Sequence, residues 1–168
     1  MSANLLQPGA RVYHPMYGFG RIESVAVRDQ ADYYGIRLSD GTVLSVPVKR
    51  AETVGLRPVI NGLASIAAGL RSTARPLPDD DRQRALELKA RWQASNPTAL
   101  TQAVRDLLSR GRASHLTPAD KRWLTNACER LSTEAALVDE IAPTEARAAI
   151  QQEIERFKIK LPTLQPAI

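Results

Sequence analysis

The chain is 168 residues long, enough for one or two small domains, and its 43% hydrophobic and 24% charged content is that of ordinary globular material. A single cysteine excludes an internal disulfide, two histidines leave no imidazole cluster for a metal, and no run of about eighteen apolar residues or basic-then-apolar leader occurs, so a cytoplasmic protein without a membrane segment or cofactor is expected. The net charge of +5 is uneven: residues 1–60 carry seven basic and five acidic groups, 61–122 carry eleven and six, and 123–168 carry five and seven. The excess in the middle segment suits a phosphate backbone or, equally, a solvated helix surface.

The first fifty residues or so carry a period of two. Runs from Ala10 to His14 and from Gly20 to Arg28 flank a turn at Met16-Tyr17-Gly18-Phe19, and the apolar phase slips between Ile22 and Val25, which predicts a β-bulge near Glu23 and Ser24. Tyr34, Ile36 and Leu38 alternate on one side of Asp40-Gly41, and Leu44, Val46 and Val48 on the other, which predicts a hairpin closed by a primed turn. Pro47 lacks an amide hydrogen, so its strand belongs at a sheet edge. Four to five short strands predict a small barrel of SH3 or Tudor type.

From Asn61 the period lengthens to that of a helix. Asn61 is a candidate cap for a first helix with Leu63, Ile66, Ala67 and Leu70 on its stripe, and Arg75-Pro-Leu-Pro breaks the chain after it. Asp79, Asp80 and Asp81 supply a cap and first-turn acids for a second helix, whose inner face holds Ala85, Leu88 and Trp92. Asn96-Pro97 marks a third start, with Leu100, Val104, Leu107 and Leu108 facing inward and Gly111 as a stop. Thr117-Pro118-Ala119-Asp120 opens a long fourth helix with Leu124, Ala127, Leu131, Ala135 and Val138 on its stripe. Cys128 shares that spacing with Leu124 and Leu131, and a buried structural thiol is favoured over a reactive one. Lys121 and Arg122 fall in the first turns of this helix, where cations oppose its dipole at a cost of some tenths of a kcal/mol. A fifth helix starts at Pro143 and buries Ala146, Ile150, Ile154 and Phe157. The architecture expected is α+β: a Tudor-like barrel over 1–60, a bundle of about five helices over 61–160, and a disordered tail over 161–168.

Motif by motif, the stretch PGARVYHPMYGFGRI, a following strand with a Tyr-Tyr pair, and VPVKRAETVGLR resemble the RNA-polymerase-interacting domain of the CarD family of bacterial transcription regulators, a module shared with the transcription-repair coupling factor. Pro-Gly, His-Pro, Gly-x-Gly, Val-Pro and Val-Gly-Leu-Arg occur in order and at the right distances, and the helical half is similar in layout, with ADKRWLTNACERLSTEAALV as its best segment. The resemblance implies docking on the RNA polymerase β subunit through Arg28 and the strand that carries Val43, Ser45 and Pro47; Ser45 stands where the family often has a second arginine. It also implies that Lys121 and Arg122 face promoter DNA, with Arg82 and Arg84 as additions. Family members that stabilise the open promoter carry a wedging tryptophan at the start of the second helix, where an ungapped count places Asp81. Aspartate cannot wedge into a base step and is repelled by phosphates.

Three function classes follow. An enzyme finds no support in a Gly-rich phosphate loop, a nucleophile arrangement or paired histidines, and no catalytic residue is assigned. A peptide-binding adaptor without DNA binding would use Tyr13, Tyr17, Phe19, Tyr33 and Tyr34 as a cation–π cage, although packing of a very small domain is the favoured reading of these rings. A monomeric polymerase-bound regulator joins a docking barrel to a basic helical domain that binds DNA weakly and without sequence preference, tethering making the second contact intramolecular.

Overall fold

The computed structural model describes residues 6–158, so the tail expected over 161–168 lies outside the described residues. The chain divides into two compact units, one of residues 1–59 with 93–97 and one of 60–92 with 98–168.

The first unit is a five-stranded antiparallel sheet, β1 (Arg11–His14), β2 (Gly18–Arg28), β3 (Ala31–Leu38), β4 (Val43–Pro47) and β5 (Arg57–Pro58), in the order β4-β3-β2-β1-β5. The expected barrel is therefore an open sheet with β4 and β5 at its edges. Proline ends both edge strands, at Pro47 and Pro58, and neither can donate the ladder bond that closure would need. The register shifts between Ile22 and Ser24, as the phase slip predicts. One face buries Val12, Ile22, Tyr34, Ile36 and Val46, each large aliphatic side chain contributing about 1.5–3 kcal/mol. At Gly20 an added Cβ would lie 2.8 Å from Ile36 Cγ2 and 2.9 Å from the Arg37 carbonyl oxygen, so only glycine lets β3 approach there.

The turns differ from expectation. The two-residue primed turn joins β2 to β3 at Asp29 and Gln30, with φ of 49° and 62°. The Asp40-Gly41 loop is one residue longer: Gly41 N–H donates to Leu38 O at 3.0 Å, Leu38 N–H donates to Thr42 O at 2.8 Å, and Gly41 alone has positive φ, 87°. Asp40 accepts from Thr42 N–H at 2.9 Å instead of entering the left-handed region.

The second unit comprises α1 (Leu63–Arg71), α2 (Asp81–Gln93), α3 (Ala99–Ala113), α4 (Pro118–Asp139) and α5 (Pro143–Glu155). Its core is built on α4, which packs against α1, α3 and α5 through Leu124, Ala127, Cys128, Leu131 and Ala135. Burial pushes the Cys128 thiol up to about 12, so it is a core residue without thiolate character. Thr117 and Asp120 form a complete capping box at the start of α4.

Three helix ends depart from the sequence reading. Gly62, not Asn61, occupies the first cap, and the donor of Leu63 N–H is satisfied by Asp139 Oδ2 at 2.7 Å. α3 begins at Ala99, two residues beyond Pro97, and runs through Gly111 to Ala113. Glycine costs a helix about 1 kcal/mol, less than the packing and the favourable Arg110 and Arg112 of this last turn return.

Candidate functional site

In the sheet unit the ladder itself groups the docking candidates. Paired residues of antiparallel strands share a face, and the pairs Arg28–Ala31, Tyr33–Pro47, Gly35–Ser45 and Arg37–Val43 all belong to the face opposite Ile22, Ile36 and Val46. Arg28 and Ser45 are exposed there, Val43 is 55% exposed, and Pro47 is half-buried. Arg37 on the same face is held by the Glu23 carboxylate of the bulge, an interaction that raises the arginine further above its ordinary value. β4 has no strand on its outer side among the described residues. The observed arrangement is thus an unpartnered β4 edge with Arg28 and Arg21, both exposed, on the same face of β2, two strands in.

The aromatic rings do not gather into a cage. Tyr13 and Tyr34 are buried, Phe19 packs edge-on against Tyr13 with centroids 4.8 Å apart, and Tyr17 is 51% exposed beside His14. Tyr34 is further tied by its hydroxyl, which accepts from Leu6 N–H at 3.0 Å. Packing accounts for three of these five rings, leaves Tyr17 at the surface, and places half-buried Tyr33 on the opposite face of the sheet from Tyr34, paired with Pro47.

In the helical unit the second candidate surface is formed by α2 and the start of α4. Arg122 and Arg82 are exposed and Lys121 is half-buried. Arg84, although adjacent in sequence, is only 1% exposed. Its Nε and Nη2 donate to the two Asp120 oxygens at 3.1 and 3.0 Å, Nη2 also to Asp81 at 2.6 Å, and Nη1 to the carbonyl oxygens of Pro78 and Asp79. Every donor of the guanidinium is spent inside the protein, so Arg84 does not reach a phosphate and the DNA-facing expectation for it is corrected. Burial pushes the Asp120 carboxyl up, yet hydrogen bonds from Arg84 and Thr117 outweigh burial and hold it below the usual carboxylate range. Asp81 is the first residue of α2 and its side chain is 75% exposed.

Asp106 is a second buried hub that the sequence pattern does not announce. Its carboxylate accepts from Arg75 N–H at 2.8 Å, Arg91 Nη1 at 2.6 Å and Arg105 Nε at 2.9 Å, joining α3 to α2 and to the proline-rich segment. Trp92 and Trp123, both half-buried, meet edge-on with centroids 6.1 Å apart between α2 and α4.

Two family models match this chain, the CarD-like/TRCF RID domain over residues 6–60 and the CarD C-terminal domain over 65–151. The chain belongs to the CarD family. A Bacillus subtilis (strain 168) protein named "Putative transcription factor YdeB" is 24% identical over 156 residues, covering 86% of this chain and 99% of the relative. The CarD-like/TRCF RID match spans Arg28 and the whole of β4, and the CarD C-terminal match spans Asp81, Arg82, Lys121 and Arg122. Both candidate surfaces of this CarD-family transcription regulator therefore lie within the family's own segments. No helix among the described residues is long and apolar enough to cross a membrane.

Proposed function

We propose that this CarD-family chain, acting as a cytoplasmic monomer, docks on the RNA polymerase β subunit through the β4 edge and Arg28. In the same reading residues 1–60 are the docking domain and 61–160 the DNA-contacting domain, which meets promoter DNA through phosphate contacts from Lys121, Arg122 and Arg82. The observation that carries the docking half is the register, which gives Arg28, Val43, Ser45 and Pro47 one solvent face beside an unpaired strand edge. An edge strand accepts a partner strand by β-augmentation, and a neighbouring arginine supplies charge-paired specificity. DNA binding is weak and sequence-tolerant, since the cations on offer are few and phosphate contacts carry no sequence information. Asp81 in place of the wedging tryptophan removes the apolar insertion that stabilises an unwound promoter.

The test is the affinity of the full chain for purified β subunit, measured for wild type and Arg28→Glu. A loss of ~1–3 kcal/mol is expected if Arg28 meets a buried carboxylate partner. Equal affinities would remove Arg28 from the interface, and no binding by the wild type would remove the docking reading altogether.

A further inference from the structure

The helical unit commits most of its arginines internally. Arg71, Arg84, Arg91, Arg105, Arg110 and Arg147 each pair with a carboxylate. Lys89 and Arg122 have no such partner among the described residues, and both stand on the rim of one groove of about 660 Å³ between α2 and α4. Ala85, Leu88 and Trp92 from α2 and Pro118, Ala119 and Trp123 from α4 form its apolar walls. The floor is held in place: Arg130 donates to Trp92 O at 2.8 Å and lays its guanidinium 4.8 Å from the centre of the Trp92 ring.

We propose that this groove receives one face of an acidic amphipathic helix from a partner protein. Apolar walls ask for apolar side chains, and unpaired rim cations ask for anions; a duplex offers the second and not the first, because its outer surface is phosphate and sugar. From Asp81 to Trp92 the groove follows α2 for about 16 Å, three turns, which fits a helix presenting side chains at i, i+4 and i+7. Charge also sets the orientation. Exposed Asp81 repels a carboxylate at one end, whereas Lys89, about two turns along α2, attracts one. The proposal goes beyond the phosphate contacts assigned above, since it uses walls that those contacts leave untouched.

The chain's two tryptophans, Trp92 and Trp123, both line the groove, so their emission reports its occupancy directly. The experiment selects peptides of about fifteen residues from a displayed random library on the full chain and titrates each binder by tryptophan emission. The expected binders carry apolar residues at i, i+3 or i+4 and i+7 beside Asp or Glu, and shift the emission to the blue. Lys89→Glu should weaken them about tenfold, and Ala85→Glu, which places a carboxylate on the groove wall from an exposed helix position, by at least as much. Neither substitution removes Arg82, Lys121 or Arg122, so the slope of log duplex affinity against log salt should stay the same in both while peptide binding falls, which separates this proposal from the DNA reading. Absence of binders, binders indifferent to both substitutions, or displacement of the peptides by a short single-stranded oligonucleotide that itself shifts the emission would each overturn it.

Discussion

Arg84 on α2 and Asp120 on α4 form a two-pronged ion pair, with donor–acceptor distances of 3.1 and 3.0 Å, in which both side chains are withdrawn from solvent. α2 buries only one apolar side chain besides, Leu88, so this pair is the principal fixed point between the two helices. The same carboxylate closes the capping box of α4 by accepting from Thr117 N–H at 3.0 Å. Arg84→Ala strands a buried carboxylate and should cost ~3–5 kcal/mol in urea unfolding. The stabilisation also has a pH signature. The folded pKa of Asp120 is lowered relative to the unfolded chain, so its contribution is complete above the unfolded carboxylate value of about 4 and is lost as pH falls through the lower folded value. Asp120→Asn should flatten the acid limb of the stability profile below about pH 4. A limb of unchanged slope would show that other carboxylates carry it.

The aromatic rings of the sheet should separate by stability. Phe19→Ala removes a half-buried ring in edge contact with Tyr13 and should cost about 2 kcal/mol, below the range for a fully buried ring. Tyr17→Ala removes an exposed ring and should stay within about 0.5 kcal/mol. Thermal denaturation of the two variants distinguishes them, and equal losses would mean that Tyr17 packs.

Salt dependence reads the phosphate contacts one at a time. Each contact removed lowers the slope of log affinity against log salt by about one unit, so charge reversal of Lys121 and Arg122 together should lower it by about two. The Arg84→Ala variant, where it remains folded, should leave the slope alone, because that guanidinium is spent internally. Duplex titrations at several salt concentrations decide this.

Asp81→Trp tests what the first position of α2 now does. The Asp81 side chain is exposed and Arg84 keeps both Asp120 oxygens without it, so the substitution should leave the fold intact. If the position faces DNA as the CarD family resemblance implies, the variant should lengthen the lifetime of open promoter complexes formed with polymerase. An unchanged lifetime, with docking demonstrated, would mean that the helical unit is presented to something other than DNA.

Features that depend on neighbours in sequence were legible from the sequence. The slip of apolar phase at Ile22 to Val25 locates the bulge, because side-chain alternation registers a single inserted residue. Thr117 and Pro118 announce the start of α4, since the cap and the first helical residue are neighbours in sequence. Features that depend on distant partners were not. The first helix is capped by Asp139, more than seventy positions along the chain, and no local pattern names it. Arg84 looks like any surface arginine until Asp120 arrives beside it, and Arg82, two residues earlier, remains exposed. The Asp29-Gln30 turn lacks the glycine that marks such turns, the strands on either side imposing positive φ on both residues. Lys89 carried no signal of its own, its significance arising only from the groove that α2 and α4 make together.

The short edge strand also bears on self-association. An edge that welcomes a foreign strand welcomes another copy of itself, and a long, flat, apolar β4 would seed fibres at high concentration. β4 is five residues long, places a serine among its outward positions, and ends at Pro47, where the next donor is missing. A second copy could form only a brief ladder there before the hydrogen bonding ran out. The proline that shortens the edge thus favours a partner with something more to offer than backbone.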